Sequence, residues 1–108
     1  MTRKPSDSGQ SDHHNARGIE LADRGWLDEA IKEFNKALEF DPDSPHAHDN
    51  LGTILAEKGN LIDALKQFIA AVEADPESPT THHYLASFLA ARSHDLCITE
   101  YRNAIQRQ

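Results

Sequence analysis

The strongest constraint on this chain of 108 residues is that it repeats itself every 34 positions. Residues 11–44 are identical to residues 45–78 at 14 of 34 positions, where composition alone would give about two. The matches include His14 with His48, Gly18 with Gly52, Gly25 with Gly59, Ala30 with Ala64, Phe34 with Phe68, Ala37 with Ala71, and Asp41-Pro42 with Asp75-Pro76. A period of this length marks stacked helical hairpins, each of which buries its apolar face only against its neighbours.

A further slide of 34 pairs His48 with His82, Leu51 with Leu85, Leu55 with Leu89 and Ala56 with Ala90. The third copy departs from the other two. Gly52 and Gly59 become Ala86 and Ser93, and beyond Ser93 the best match needs an offset of 33. That offset sets Cys97 on Ala64, Tyr101 on Phe68 and Ala104 on Ala71, so one residue is missing at the turn between the helices.

Local signals divide each unit into two helices. Ser44-Pro45 and Ser78-Pro79 are helix starts, with serine as N-cap and proline at the first helical position. Gly25 and Gly59 stand where a first helix ends in a left-handed cap. Asp-Pro at 41–42 and 75–76 ends the second helix, because the residue before a proline is pushed out of the α region. Apolar residues at 27, 30, 31, 34, 37 and 38, and again at 61, 64, 65, 68, 71 and 72, follow the helical period. The spacing predicts helices over 11–24, 27–40, 45–58, 61–74, 79–92 and 95–107, with residues 1–10 as a disordered tail. Gly18, Gly52 and Ala86 permit close approach of the paired helix, and Phe34 and Phe68 fill the space beside them.

The run Gly18, Leu21, Ala30, Phe34, Ala37, Pro42 resembles the tetratricopeptide-repeat family, with leucine in the usual tyrosine slot and histidine at 14, 48 and 82 replacing the usual aromatic residue. The resemblance covers residues 11–108. It implies an all-α fold, a right-handed α-solenoid of three helix-turn-helix hairpins with about six helices, divided at 11–44, 45–78 and a degenerate 79–108. It further implies a concave groove, lined by the first helix of each repeat, that receives a peptide. Carried onto this chain, the groove positions are Asp12, Asn15, Ile19 and Asp23, then His46, Asp49, Asn50, Thr53 and Glu57, then Thr80, His83, Ser87 and Ala91. This wall has no Lys or Arg. Ile19, Thr80 and Tyr84 stand where chaperone adaptors of the family carry carboxylate-gripping residues, so that sub-family is not expected, because a carboxylate needs cationic donors.

Charge supports the same direction. The formal net charge is -7, concentrated in residues 11–78, with residues 79–108 at +1. Nucleic acid is disfavoured, since phosphate contacts need clustered Lys and Arg, and a partner with basic residues suits Asp23, Asp49 and Glu57. No apolar run reaches the roughly 20 residues of a membrane span, and residues 1–10 lack the apolar core of a secretion signal. The single cysteine, Cys97, excludes an internal disulfide and fits a reducing, cytoplasmic setting.

Other chemistry is not expected. Cys97 stands in a small-residue packing slot. Equivalent histidines of adjacent repeats lie roughly 10 Å apart, which is too far to share a metal. Their expected role is packing between helices with a ring nitrogen at the edge. Neither a nucleophile elbow nor a phosphate loop occurs, so neither enzyme activity nor a cofactor is expected. Two functions remain: holding a protein or peptide in the groove, or homo-oligomerisation through the C-terminal helix, whose Leu96, Ile98, Tyr101 and Ile105 form an apolar flank. Trp26, outside the repeat pattern, suits either a surface contact or packing over its own turn.

Overall fold

A computed structural model of the chain describes the backbone of residues 5–106 and the side chains of residues 8–92. Five helices follow one another: α1 (Pro5–Asp23), α2 (Leu27–Phe40), α3 (Pro45–Glu57), α4 (Leu61–Ala74) and α5 (Pro79–Gln106). They form an all-α solenoid in which α1 pairs with α2 and α3 with α4, while α2 packs on α3 and α4 on α5. The first helices stand side by side, α1 beside α3 and α3 beside α5.

The turns obey the local chemistry. Gly25 and Gly59 have φ of 83° and 86°, the left-handed region that a side chain resists. At the first turn Gly25 N–H donates to Ala22 O at 2.9 Å and Trp26 N–H to Leu21 O at 2.9 Å, satisfying carbonyls that the helix end leaves open. Gly59 and Asn60 repeat the pattern on Ala56 O and Leu55 O. At the starts of α3 and α5, Ser44 Oγ accepts from Ala47 N–H at 3.2 Å and Ser78 Oγ from Thr81 N–H at 3.4 Å.

Two buried clusters make the core. Phe34 lies with Ala30, Leu51 and Ile54, joining α2 to α3. Phe68 lies with Ala64 and Phe88, joining α4 to α5. A Cβ on Gly18 would stand 2.5 Å from the Phe34 ring, and one on Gly52 3.0 Å from the Phe68 ring, so each glycine is the socket for a phenylalanine. Burying one such ring contributes roughly 2–3 kcal/mol.

Two expectations need correction. The tail was expected to be disordered to residue 10, yet α1 begins at Pro5. Proline suits a first helical position, and extending an existing helix backwards needs no new nucleus. The third unit was expected to turn near residues 93–94, which would make six helices and a third hairpin. Instead α5 runs unbroken from 79 to 106. The reason is the missing stop: both other hairpins reverse on a glycine with positive φ, and here serine stands in that place with one residue fewer. With no glycine or proline between 80 and 106, nothing ends the helix.

Over its described side chains, residues 79–92, one face of α5 is therefore exposed. Gly18 and Gly52 are buried and Leu21 and Leu55 half-buried, but their equivalents Ala86 and Leu89 are exposed, Leu89 at 40%. The side chains of Leu96, Cys97, Ile98, Tyr101 and Ile105 lie outside the described residues.

Candidate functional site

The face formed by α1, α3 and α5 carries two adjoining cavities. The first, of about 170 Å³, lies between α1 and α3; Ile19, Asp23, Asn50, Thr53 and Glu57 line it, with Ala22, Phe34 and Ile54 beneath. The second, of about 310 Å³, lies between α3 and α5. Thr53, Ala56 and Glu57 form one wall, Phe68 the floor, and Tyr84, Ser87, Phe88, Ala91 and Arg92 the other wall. Thr53 and Glu57 border both, so the cavities form one continuous strip.

The two halves differ in chemistry. In the first, Asp23 and Glu57 are exposed carboxylates with no ion-pair partner among the described residues. The second is aromatic: the Phe68 ring stacks with Tyr84 at 6.3 Å and meets Phe88 at 5.2 Å. The Arg92 guanidinium lies over the Phe88 ring, 5.9 Å from its centre, the geometry of a cation–π contact.

Of the residues expected in the groove, Ile19, Asp23, Asn50, Thr53, Glu57, Ser87 and Ala91 line these cavities, and Asp12 and Thr80 do not. Asn15 stands beside the strip, half-buried, and accepts a 2.9 Å hydrogen bond from Asn50 Nδ2. His46 and His83 are exposed but line neither cavity; His83 Nε2 stands 3.4 Å from Ser87 Oγ.

Asp49 is a correction. Expected as a surface acid of the groove, it is 2% exposed, and both carboxyl oxygens lack a hydrogen-bond partner. Its helix face explains this. Asn50 reaches back to Asn15 of the previous unit, and Asp49, one position earlier on α3, falls on the buried side of the helix. Burial pushes its carboxyl up to about 6, although His46 and His48 pull it the other way.

Phe88 and Arg92 were missed as groove residues, whereas Tyr84 was placed only in a carboxylate-gripping slot and not in the wall itself. Tyr84 had a legible signal, since it lies 34 residues beyond Asn50; Phe88 and Arg92 follow it at helical spacing of four.

The recurrent histidines sit at the joints between units. Pro42 O and Pro76 O can only accept, so His48 Nε2–H donates to the first at 2.8 Å and His82 Nε2–H to the second at 2.7 Å. His48 Nδ1 meets the Gln67 side-chain amide at 2.7 Å. When the ring is neutral Nδ1 accepts from the amide NH2, and when it is charged it donates to the amide oxygen. His14 has no preceding joint: it stacks on Phe40 at 5.6 Å and bonds Glu33 at 2.9 Å. That hydrogen bond is the main cause holding the Glu33 carboxyl below its ordinary value, with Lys36 adding to it against the opposing effect of burial. No group of three or more His, Cys, Asp or Glu among the described residues is placed to hold a metal ion.

Trp26 is 55% exposed at the start of α2. Among the described residues no helix is long and apolar enough to cross a membrane.

Comparison with known proteins agrees with the repeat architecture. A family model described as a TPR repeat matches residues 18–59, and a second, described as a tetratricopeptide repeat, matches residues 45–78. No curated protein gives a significant match. The paired glycine–phenylalanine sockets, the reversing glycines and both family matches lie in the same two units, and the chain belongs to the tetratricopeptide-repeat family.

Proposed function

We propose that the chain holds a segment of another protein along the strip formed by α1, α3 and α5, and that the segment carries basic residues. Repeats of this family generally mediate protein–protein interaction. The observation that carries the reading is the continuity of the two cavities across all three first helices. Asp23 and Glu57, with no ion-pair partner among the described residues, favour a cationic side chain, since an exposed carboxylate attracts one at little desolvation cost. The role is holding rather than catalysis. Among the described residues, Ser87 and His83 are the hydroxyl–imidazole pair in reach of the strip. Both are exposed, and no further described side chain orients the ring, which an activated nucleophile needs. A lone cysteine and the lack of apolar spans among the described helices favour work in the cytoplasm.

The test is a pull-down from the source lysate with the wild type and an Asp23→Lys/Glu57→Lys variant, both checked for helix content by circular dichroism. Wild type should retain proteins that the variant loses. Identical partner sets remove the strip as the binding surface.

One observation favours a second reading, self-pairing through α5. The face of α5 bearing Ala86 and Leu89 is exposed where the other two units cover theirs, and a second copy would bury it. Light scattering coupled to size exclusion should then give a dimer mass that Ala86→Glu returns to monomer. A monomer at high concentration sinks this reading.

A further inference from the structure

The two cavities differ in what they would accept, and they lie in a fixed order. We infer that the strip reads a two-part motif: a Lys or Arg in the cavity between α1 and α3, and a large apolar side chain in the cavity between α3 and α5, three residues apart on an extended segment. This inference rests on the strip being the binding surface.

The charge comes first. Asp23 and Glu57 rise from adjacent first helices on either side of one cavity, and neither has a partner among the described residues. Phe34, Ile54 and Ala22 beneath them give the methylene stem of a Lys or Arg an apolar bed while its head stays with the carboxylates. The neighbouring cavity excludes the same residue. Its only charged groups are Glu57 at the shared border and Arg92, whose guanidinium covers Phe88 and repels a second cation. What remains is a floor of Phe68 and walls of Tyr84, Phe88 and Ala91, a site for an aromatic or long aliphatic chain. An apolar residue here is fixed by shape, and the cation by charge.

Spacing follows from the repeat. The cavities are offset by one first helix, and adjacent packed helices stand roughly 8–10 Å apart. An extended chain advances about 3.3 Å per residue, so the two anchors fall three residues apart. A helical ligand rising 1.5 Å per residue would need about six or seven.

The test is a random twelve-residue peptide library displayed on phage and selected on the full chain, followed by Asp23→Lys and Ala91→Trp variants, both at exposed positions. Enriched peptides should share a Lys or Arg and an aromatic or long aliphatic residue three apart. Asp23→Lys should weaken binding of such a peptide at least tenfold and abolish the basic preference while keeping the apolar one. Ala91→Trp, which fills the second cavity, should do the reverse. Peptides that bind the strip without this pair, or with it at a different spacing, overturn the two-part motif and leave the strip as a binding surface. If no peptide is enriched, or if enriched peptides bind both variants like wild type, the strip reading falls as well.

Discussion

Replacing Asp49 with asparagine should stabilise the protein at neutral pH and do nothing in acid. The side chain is buried and neither oxygen is bonded, so its ionised form lacks both water and a partner. Burial raises its carboxyl from 3.8 to about 6. Below 3.8 the acid is protonated whether folded or unfolded, and the group makes no pH-dependent contribution. As pH rises through 3.8 the unfolded chain releases the proton while the folded one keeps it, so the fold loses stability until pH passes 6. The gap corresponds to about 3 kcal/mol at full ionisation, a large part of the stability of a small domain. In Asp49→Asn that loss is absent, while the buried polar group and its volume are kept. Thermal melts at half-unit steps from pH 3.5 to 8 should show the two proteins separating between pH 4 and 6.5, the variant ending higher by about 10 °C. Parallel melting curves across that range would refute the reasoning, and so would a variant less stable at pH 8.

Glu33→Gln tests the opposite sign. The His14 hydrogen bond holds the Glu33 carboxyl low, so its stabilisation is present above pH 4.5 and lost as pH falls through the folded value. The variant should be about 1 kcal/mol less stable at pH 7, with the difference closing by pH 3 in urea titrations. Gly18→Ala should cost about 2 kcal/mol because its methyl meets the buried Phe34 ring. Gly52→Ala, with more room before Phe68, should cost less than half of that in the same melts, the gain in helix propensity offsetting the crowding. Gly59→Ala should lose about 1 kcal/mol, since its φ of 86° admits no side chain without strain. Inserting a glycine between Ser93 and His94 should restore the lost turn, so amide chemical shifts near residue 93 should leave the helical range.

What the sequence revealed and what it hid divide along physical lines. Turns and sockets were legible because each rests on one residue type: Gly25 on a positive φ, Ser44 on a cap oxygen, Gly18 on the space a phenylalanine takes. The break in the third unit was also visible, as a lost glycine and a lost residue. The 34-residue period outweighed it, although a helix obeys its own stops rather than a register. Asp49 was hidden for a different reason. Groove positions recur every 34 residues, but a side chain's burial depends on what the neighbouring helices pack around it, which the period does not report. The aromatic half of the strip was obscured likewise, since Phe68 reads as core from its place in the repeat and becomes a cavity floor only once α5 is placed beside it.

The histidines at the joints bear on curvature. The bend of a solenoid is the sum of the angles between successive units, and each angle is set where one unit's closing turn meets the next unit's first helix. At both joints of this chain that meeting is tied by an imidazole Nε2–H to a proline carbonyl. The bond needs only a proton on Nε2, which the bonded neutral tautomer and the charged ring both carry. Acidification that brings the seven histidines to full charge alters the charge of the molecule from end to end. It leaves these two hinges tied, because neither charge state of the ring gives up the proton that the proline carbonyl accepts.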